Sequence, residues 1–335
     1  MKKPKILVVG SFVMDTITST EVFPQAGQTV LGYKYATAPG GKGANQAFEA
    51  ALLGADVTMV GKVGQDAFGD RLIASLKDAG ANVCEVMRAR DGVSSGIGNI
   101  TIHTKNGVAL NNRIIVIPGA NMEITPEDVA YLKEDIAKYD MVILQLEIPM
   151  EINQIVAGYA YEKGVPVMLN PAPIAPLPED LLRHITYLSP NETEAAGLLG
   201  VEISRKEDGT LADGVVENVA AAMKAKGLKK LLITLGDQGA MIIEDGNVTR
   251  RSAVSGIKAV DPTAAGDSFV GAFCMARAAG LDEGEALEFS NMIGARTVSF
   301  MGAQPSLSTL DQAIAFHREA GRDTSILEKV KEILS

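Results

Sequence analysis

The chain has no tryptophan, 2 cysteines and 3 histidines in 335 residues. Cys84 and Cys274 lie far apart and belong to no Cys-x-x-Cys or Cys/His cluster, which argues against structural zinc and against an extracellular disulfide framework. His103, His184 and His317 have no spacing that suggests a triad or a metal site. Nothing approaches the roughly 18 consecutive apolar residues of a membrane span. The longest apolar stretch near the start, Ile6 to Met14, ends at Asp15 without a small-residue cleavage site and reads as a strand, not a signal peptide. Basic runs never exceed two or three residues, and 41 acids against 31 bases leave a net charge of -10. Nucleic acid and anionic membranes are therefore poor partners. Two nucleotide-binding loops are also missing: G-x-x-x-x-G-K-[ST] occurs nowhere, and no G-x-G-x-x-G follows the first strand. A cytoplasmic protein is the expectation.

What is present is an ordinary packing composition, 47% apolar and 21% charged, without low-complexity tracts. The length admits two domains of roughly 150 residues or one large α/β domain. No repeat and no long linker divides the chain, so residues 1–335 are read as one unit. Short apolar runs recur at Lys5 to Gly10, Val57 to Val63, Met141 to Leu146, Val165 to Leu169, Ile185 to Leu188 and Lys230 to Leu235. Helical periodicity separates them, over Ala67 to Ala79, Glu127 to Lys138, Ile152 to Lys163 and Val215 to Lys226. Strands alternating with helices imply a mostly parallel central sheet with helices on both faces. Such sheets collect ligands at the carboxyl ends of their strands. After Asp261 helices are expected over Gly266 to Ala279, Glu283 to Phe300 and Ile326 to Leu334.

Two stretches break the rhythm. Residues 12–39 and 96–117 are rich in β-formers and glycine turns, and both look like antiparallel strands. Together they predict a small β-sheet lid whose apolar face is covered by a closing substrate or by a second copy of the chain; two independent surface hairpins are the simpler alternative.

Three motifs could carry chemistry. In DPTAAGDSFVGAF, Asp261 to Phe273, the small residues Ala264, Ala265 and Gly266 leave backbone N–H groups uncovered at a helix start, where orphan donors and the dipole favour an anion. Asp267 lies in that first turn, either as a functional acid or merely as a favourable capping residue. In PGGKGANQA, Pro39 to Ala47, Gly40 and Gly41 let backbone approach a small ligand while Lys42 and Asn45 supply donors suited to sugar hydroxyls; a glycine turn before the helix Gln46 to Leu53 is the plainer reading. In SPNETE, Ser189 to Glu194, Asn191 and Glu194 fit a capping box, with water-mediated Mg²⁺ and phosphate handling as the alternative. Glu147 and the TLGDQG segment from Thr234 to Gly239 stand at further strand ends.

GGKGAN, the NPAP of Asn170 to Pro173, PNETE, TLGDQG, DPTAAGD and the GAQPS of Gly302 to Ser306 occur in the order and spacing of the ribokinase-like sugar kinases. The chain resembles that family from Gly10 to about Ser308. The resemblance implies ATP-dependent transfer of the γ-phosphoryl group to the primary hydroxyl of a pentose, ribose foremost, by an α/β domain whose β lid often mediates a homodimer. It makes Asp267 the general base and the N–H groups of Ala265, Gly266 and Asp267 the anion hole. Asp15, Gly40, Gly41, Lys42, Asn45, Glu147 and Asp267 would hold the sugar. Asn191, Glu194, Thr234, Gly236, Gly239, Gly266 and Asn291 would line the ATP site, with Mg²⁺ on the phosphates. A monovalent cation, K⁺, would sit behind the hole near Asp261, Thr263, Thr297, Phe300, Gly302 and Ser306.

One position departs from the family pattern. Members usually read Gly-Ser-x-Asn-x-Asp after the first strand, the Asn bonding a ribose hydroxyl, whereas this chain reads GSFVMD with Val13 in that place. Valine cannot make the bond, so 2-deoxyribose is an alternative substrate, unless a water or a neighbouring residue replaces the Asn. A nucleoside or ketohexose kinase, or a sugar sensor without turnover, are the remaining alternatives.

Overall fold

The structure is a computed structural model that describes residues 3–105, 108–206 and 210–335. Its strands are β1 Lys5–Val9, β2 Val13–Thr20, β3 Gly32–Gly40, β4 Asp56–Val63, β5 Val86–Arg88, β6 Gly96–Lys105, β7 Val108–Ile117, β8 Met141–Gln145, β9 Val167–Asn170, β10 Tyr187–Leu188, β11 Lys230–Thr234, β12 Ala240–Glu244 and β13 Asn247–Arg251. Nine of them form one sheet in the order β13-β12-β11-β10-β9-β8-β1-β4-β5. All its neighbours pair in parallel except in the edge hairpin, where β11–β12 and β12–β13 are antiparallel. Alternate residues of β1 feed opposite layers, with Ile6 and Val8 in one apolar cluster and Leu7 and Val9 in the other. That two-sided burial explains why the strand reads as an unbroken apolar run. Cys84 is an exposed thiol and Cys274 a buried one.

The chain order reverses at β1, whose neighbours are β4 on one side and β8 on the other. The carboxyl ends of β1, β8, β9 and β11 therefore open into one crevice at the topological switch. Two helices point their first turns into it, Lys42–Leu52 and Ala265–Ala278.

Several expectations need adjustment. The helix expected from Gln46 begins at Lys42, because Gly41, at φ 95°, turns the chain straight into it; the GGKGANQ motif is its first turn. The Glu127 to Lys138 helix is broken into Pro126–Val129, Leu132–Asp135 and a 3₁₀ turn Ile136–Lys138. The apolar face survives, with Val129, Leu132 and Ile136 fully buried, but hydrogen bonds such as Lys133 to Ala130 span three residues. The helix expected to reach Phe300 ends at Thr297. Helices over Glu192–Leu199 and Leu310–Glu319 and the β12–β13 hairpin complete the fold.

The lid is a four-stranded sheet in the order β3-β2-β6-β7, and it is not wholly antiparallel as expected. Two antiparallel hairpins, β2–β3 and β6–β7, are joined along a parallel seam that runs from Val13↔Gly96 to Thr20↔His103. Asn106 and Gly107, inside the expected 96–117 lid, lie outside the described residues. Tyr35 and Ile115 leave large apolar surface exposed on this sheet, and Leu31, just before β3, is 92% exposed. Its root is tied by Asn121, fully buried, which accepts from the Phe12 N–H at 2.8 Å and donates to the Phe12 and Pro118 carbonyls. No helix among the described residues is long and apolar enough to cross a membrane.

Candidate active site

Asp267 is carried on the first turn of the Ala265–Ala278 helix and lines a cleft of about 250 Å³ with Lys42, Asn170, Ser189, Asn191, Glu194, Thr234, Pro262, Ala264 and Gly266. Ala264 adopts a left-handed backbone, φ 59°, just before the helix. A non-glycine residue is held there only against a local strain of about 1 kcal/mol or more. The Ala265 N–H is spent on the Pro262 carbonyl at 3.1 Å. The open amides are thus those of Gly266 and Asp267. A β-carbon on Gly266 would project into empty space, so no protein atom requires glycine in this helix, where it costs about 1 kcal/mol relative to alanine.

Both carboxylate oxygens of Asp267 are held by amides from the other helix start. Asn45 Nδ2 donates to Oδ2 and Gln46 Nε2 to Oδ1, each at 3.0 Å. Burial raises the Asp267 carboxyl above the usual range, against the pull of the Lys42 charge and these amides. Asn45 Oδ1, buried, finds no donor among the described residues. A buried acceptor beside an open cleft is suited to a ligand hydroxyl.

The residues expected to hold the sugar lie at the lid end. Glu147 Oε2 accepts from Ser11 Oγ at 2.5 Å and from the Lys42 N–H at 3.0 Å, which ties the end of β8 to the helix start. Asp15, on β2, has its carboxyl pushed up to about 6 by burial and secondarily by the charge of Glu147. Gly40 and Gly98 flank it on β3 and β6, each approached closely by an Asp15 oxygen. Val13 is buried at the lid root, paired with Gly40 and Gly96.

Of the residues expected to line the ATP site, Asn191 and Glu194 form the capping box, with Glu194 N–H to Asn191 Oδ1 at 2.8 Å and Asn191 N–H to Glu194 Oε2 at 2.9 Å. They also line the cleft, so capping and ligand contact are compatible. Thr234 bridges to Asn191 at the end of β11. Gly236 and Gly239 belong to the turn after β11, and Asn291 uses its amide to hold the Arg251 and Ser252 carbonyls; none of these three lines the cleft.

The six expected cation residues divide. Asp261 accepts from Thr263 N–H at 2.9 Å, Thr263 Oγ1 at 2.6 Å and Gly302 N–H at 2.8 Å. Burial would raise this carboxyl, but those donors outweigh it and hold it below the usual range. Thr297 is turned into its own helix through Ile293, the Ser306 carbonyl accepts from the Arg296 guanidinium, and Phe300 stacks on that guanidinium.

Sequence reasoning passed over Gln46, Gln145, Ser11 and Gly98. A larger cavity of about 470 Å³ near Ile174, Leu182, Leu198 and Leu228 is apolar apart from Lys226 and holds none of these groups.

A recessed carboxylate beside open amides at a helix start is an arrangement suited to phosphoryl transfer to an alcohol. The family model described as pfkB family carbohydrate kinase matches residues 3–310, and the chain belongs to that family. It is 38% identical over 307 residues to the ribokinase of Bacillus subtilis, covering 92% of this chain and 97% of that one. It is 32% identical over 308 residues to a deoxyribokinase of Salmonella typhimurium, covering 92% and 96%. The structure of Arabidopsis thaliana ribokinase complexed with ribose and ATP superimposes with a TM-score of 0.83 at 29% identity, covering 100% of this chain and 99% of that one.

Proposed function

We propose that the chain transfers the γ-phosphoryl group of ATP to the primary hydroxyl of ribose, giving ribose 5-phosphate. The observation that carries this reading is the placement of Asp267, which is held by Asn45 and lines the cleft with Lys42 and Gly266, whose amide is open. The hydroxyl oxygen of the sugar attacks the γ-phosphorus and gives its proton to the Asp267 carboxylate. The bond from that phosphorus to the β–γ bridging oxygen breaks, and ADP leaves with the electron pair. The two amides neutralise charge on the migrating group, and Lys42 beside them adds a full positive charge. Asp15, Glu147 and Asn45 orient the sugar.

Described residues hold no cluster of three His, Cys, Asp or Glu side chains. Mg²⁺ is proposed as an ion carried chiefly by nucleotide phosphates and water; Asn191 and Glu194, which line the cleft, would receive its water shell, and the ion would supply charge neutralisation. K⁺ belongs to the same proposal, supported by the charge of Asp261, whose carboxylate is held in the ionised form by the Thr263 and Gly302 donors. Thr297 and Ser306 are weaker members because their oxygens are engaged. Homodimerisation through the lid is supported by its exposed apolar strands, and a cytoplasmic location by the composition.

Asp267→Asn is expected to lower kcat about 10²- to 10⁴-fold while ATP still binds; near-full turnover would remove Asp267 from its role. ADP release measured on a sugar panel, with and without K⁺, separates a kinase from a sensor. A second reading, 2-deoxyribose, is favoured by Val13, an apolar group at the lid root near Asp15 and Gly98. A ribose preference of about several hundredfold in kcat/KM would dispose of it.

A further inference from the structure

We propose that Gln46 is the positioning residue that anchors the Asp267 carboxylate for proton transfer, and that Gln145 keeps Gln46 in the orientation this requires. The proposal rests on the reading of Asp267 as the base.

Gln46 is fully buried behind the cleft. Its Nε2 donates to Asp267 Oδ1 at 3.0 Å and to Asn170 Oδ1 at 3.2 Å, while its Oε1 accepts from Gln145 Nε2 at 2.8 Å. An amide has one acceptor end and one donor end, so these three bonds define a single direction. Turning Gln46 over would set its oxygen against the Asp267 carboxylate and its NH₂ against that of Gln145. Gln145 is held by packing: it is fully buried at the end of β8, and its Oε1, which has no donor among the described residues, lies so near Gly10 that a β-carbon there would fall under 3.0 Å from it. Asn170 is fixed in turn by its Nδ2, which donates to the Ser189 carbonyl at 2.8 Å.

The two oxygens of Asp267 are therefore unequal. Oδ2 is met by Asn45, whose own Oδ1 is unpartnered and which a sugar hydroxyl can draw away. Oδ1 is met by Gln46, which is fully buried and engaged at both ends, by Asp267 and Asn170 through Nε2 and by Gln145 through Oε1. The bond to Oδ1 leaves Oδ2 as the oxygen that takes the proton and keeps the carboxylate from rotating as it does so. The charged groups acting on Asp267 are Lys42, which favours the ionised form, and Glu147, which opposes it; the Gln46 donor adds to the effect of Lys42.

The test is kinetic. Gln46→Met keeps the length of the side chain and removes the donor. Expected are a fall in kcat of about 10- to 100-fold, KM for ribose and for ATP unchanged within about threefold, and an acid limb of the kcat–pH profile moved up by about one pH unit, the size of one hydrogen bond to a charged group. Gln145→Met frees Gln46 to turn without touching Asp267 and is expected to move both quantities in the same direction by less. An unmoved acid limb in Gln46→Met, whatever its kcat, overturns the proposal, because loss of packing alone does not shift it. Should the melting temperature show that Gln46→Met does not fold, Gln145→Met decides by the same criterion. Asp267→Asn distinguishes the two levels. Near-full turnover there removes the base itself, whereas an inactive Asp267→Asn with unmoved acid limbs in the glutamine variants removes only the positioning role.

Discussion

The Asp15 carboxylate on β2 lies directly over the α-carbon of Gly98 on β6, so close that a β-carbon at 98 would stand under 3.0 Å from Oδ1. Glycine here is a condition on the side chain opposite. Substitution by alanine drives Asp15 out of its place toward the sugar, whereas the nucleotide side of the cleft has no contact with Gly98. Gly98→Ala is expected to raise KM for the sugar about tenfold or more, the order of one lost hydrogen bond to a charged group, and to leave ATP binding unchanged. Steady-state kinetics with each substrate varied in turn tests this; an unchanged sugar KM would contradict it.

Asp15 also sets a pH dependence. Its carboxyl, pushed up to about 6, is ionised at neutral pH and becomes a neutral acid as the pH falls through that value. The ionised form accepts hydrogen bonds from sugar hydroxyls with both oxygens; the neutral form keeps one end as a donor. Sugar affinity measured by calorimetry is expected to weaken as pH drops from 7 to 5, with a midpoint near 6, and Asp15→Asn is expected to flatten the curve. A midpoint that persists in Asp15→Asn assigns the titration to another group.

Glu49 sits in the same helix as Asn45, fully buried, with Oε2 accepting from the Ser308 N–H at 3.3 Å. Burial pushes its carboxyl from 4.5 up to about 8, against the opposing Ser308 amide and Arg296 charge. The folded form thus holds a proton that the unfolded chain releases above 4.5. Stability from this group is intact below that pH and is lost as pH rises toward 8. Glu49→Gln removes the titration, so its melting temperature is expected to exceed that of the parent by more at pH 8 than at pH 5. A gap that does not widen with pH would mean that Glu49 is ionised in the fold.

The parallel sheet and the position of Asp267 were legible in the sequence for a physical reason: apolar runs buried on both faces and small residues at a helix start are local patterns. The edge hairpin was legible too, since Asp245-Gly246, both at positive φ, separates β12 from β13; it went unread because two short strands there resemble the flanks of a loop. The parallel seam of the lid is another matter. Asp15 pairs with Gly98, a partner far along the chain, and no local periodicity encodes that. Gln46 and Gln145 were invisible as a pair for the same reason, being brought together across 99 residues by the reversal of strand order at β1. The Ala265 amide was misread because its use depends on the left-handed turn at Ala264, which alanine seldom makes.

The seam between β2 and β6 has a mechanical consequence. Because the two hairpins share a continuous ladder, any displacement of one bears on the other, and Asn121 ties their common root to Phe12 and Pro118. On the proposed function, a sugar that engages Asp15 would carry both hairpins with it, so that contact with the carbohydrate and shelter of the reacting atoms would be one event.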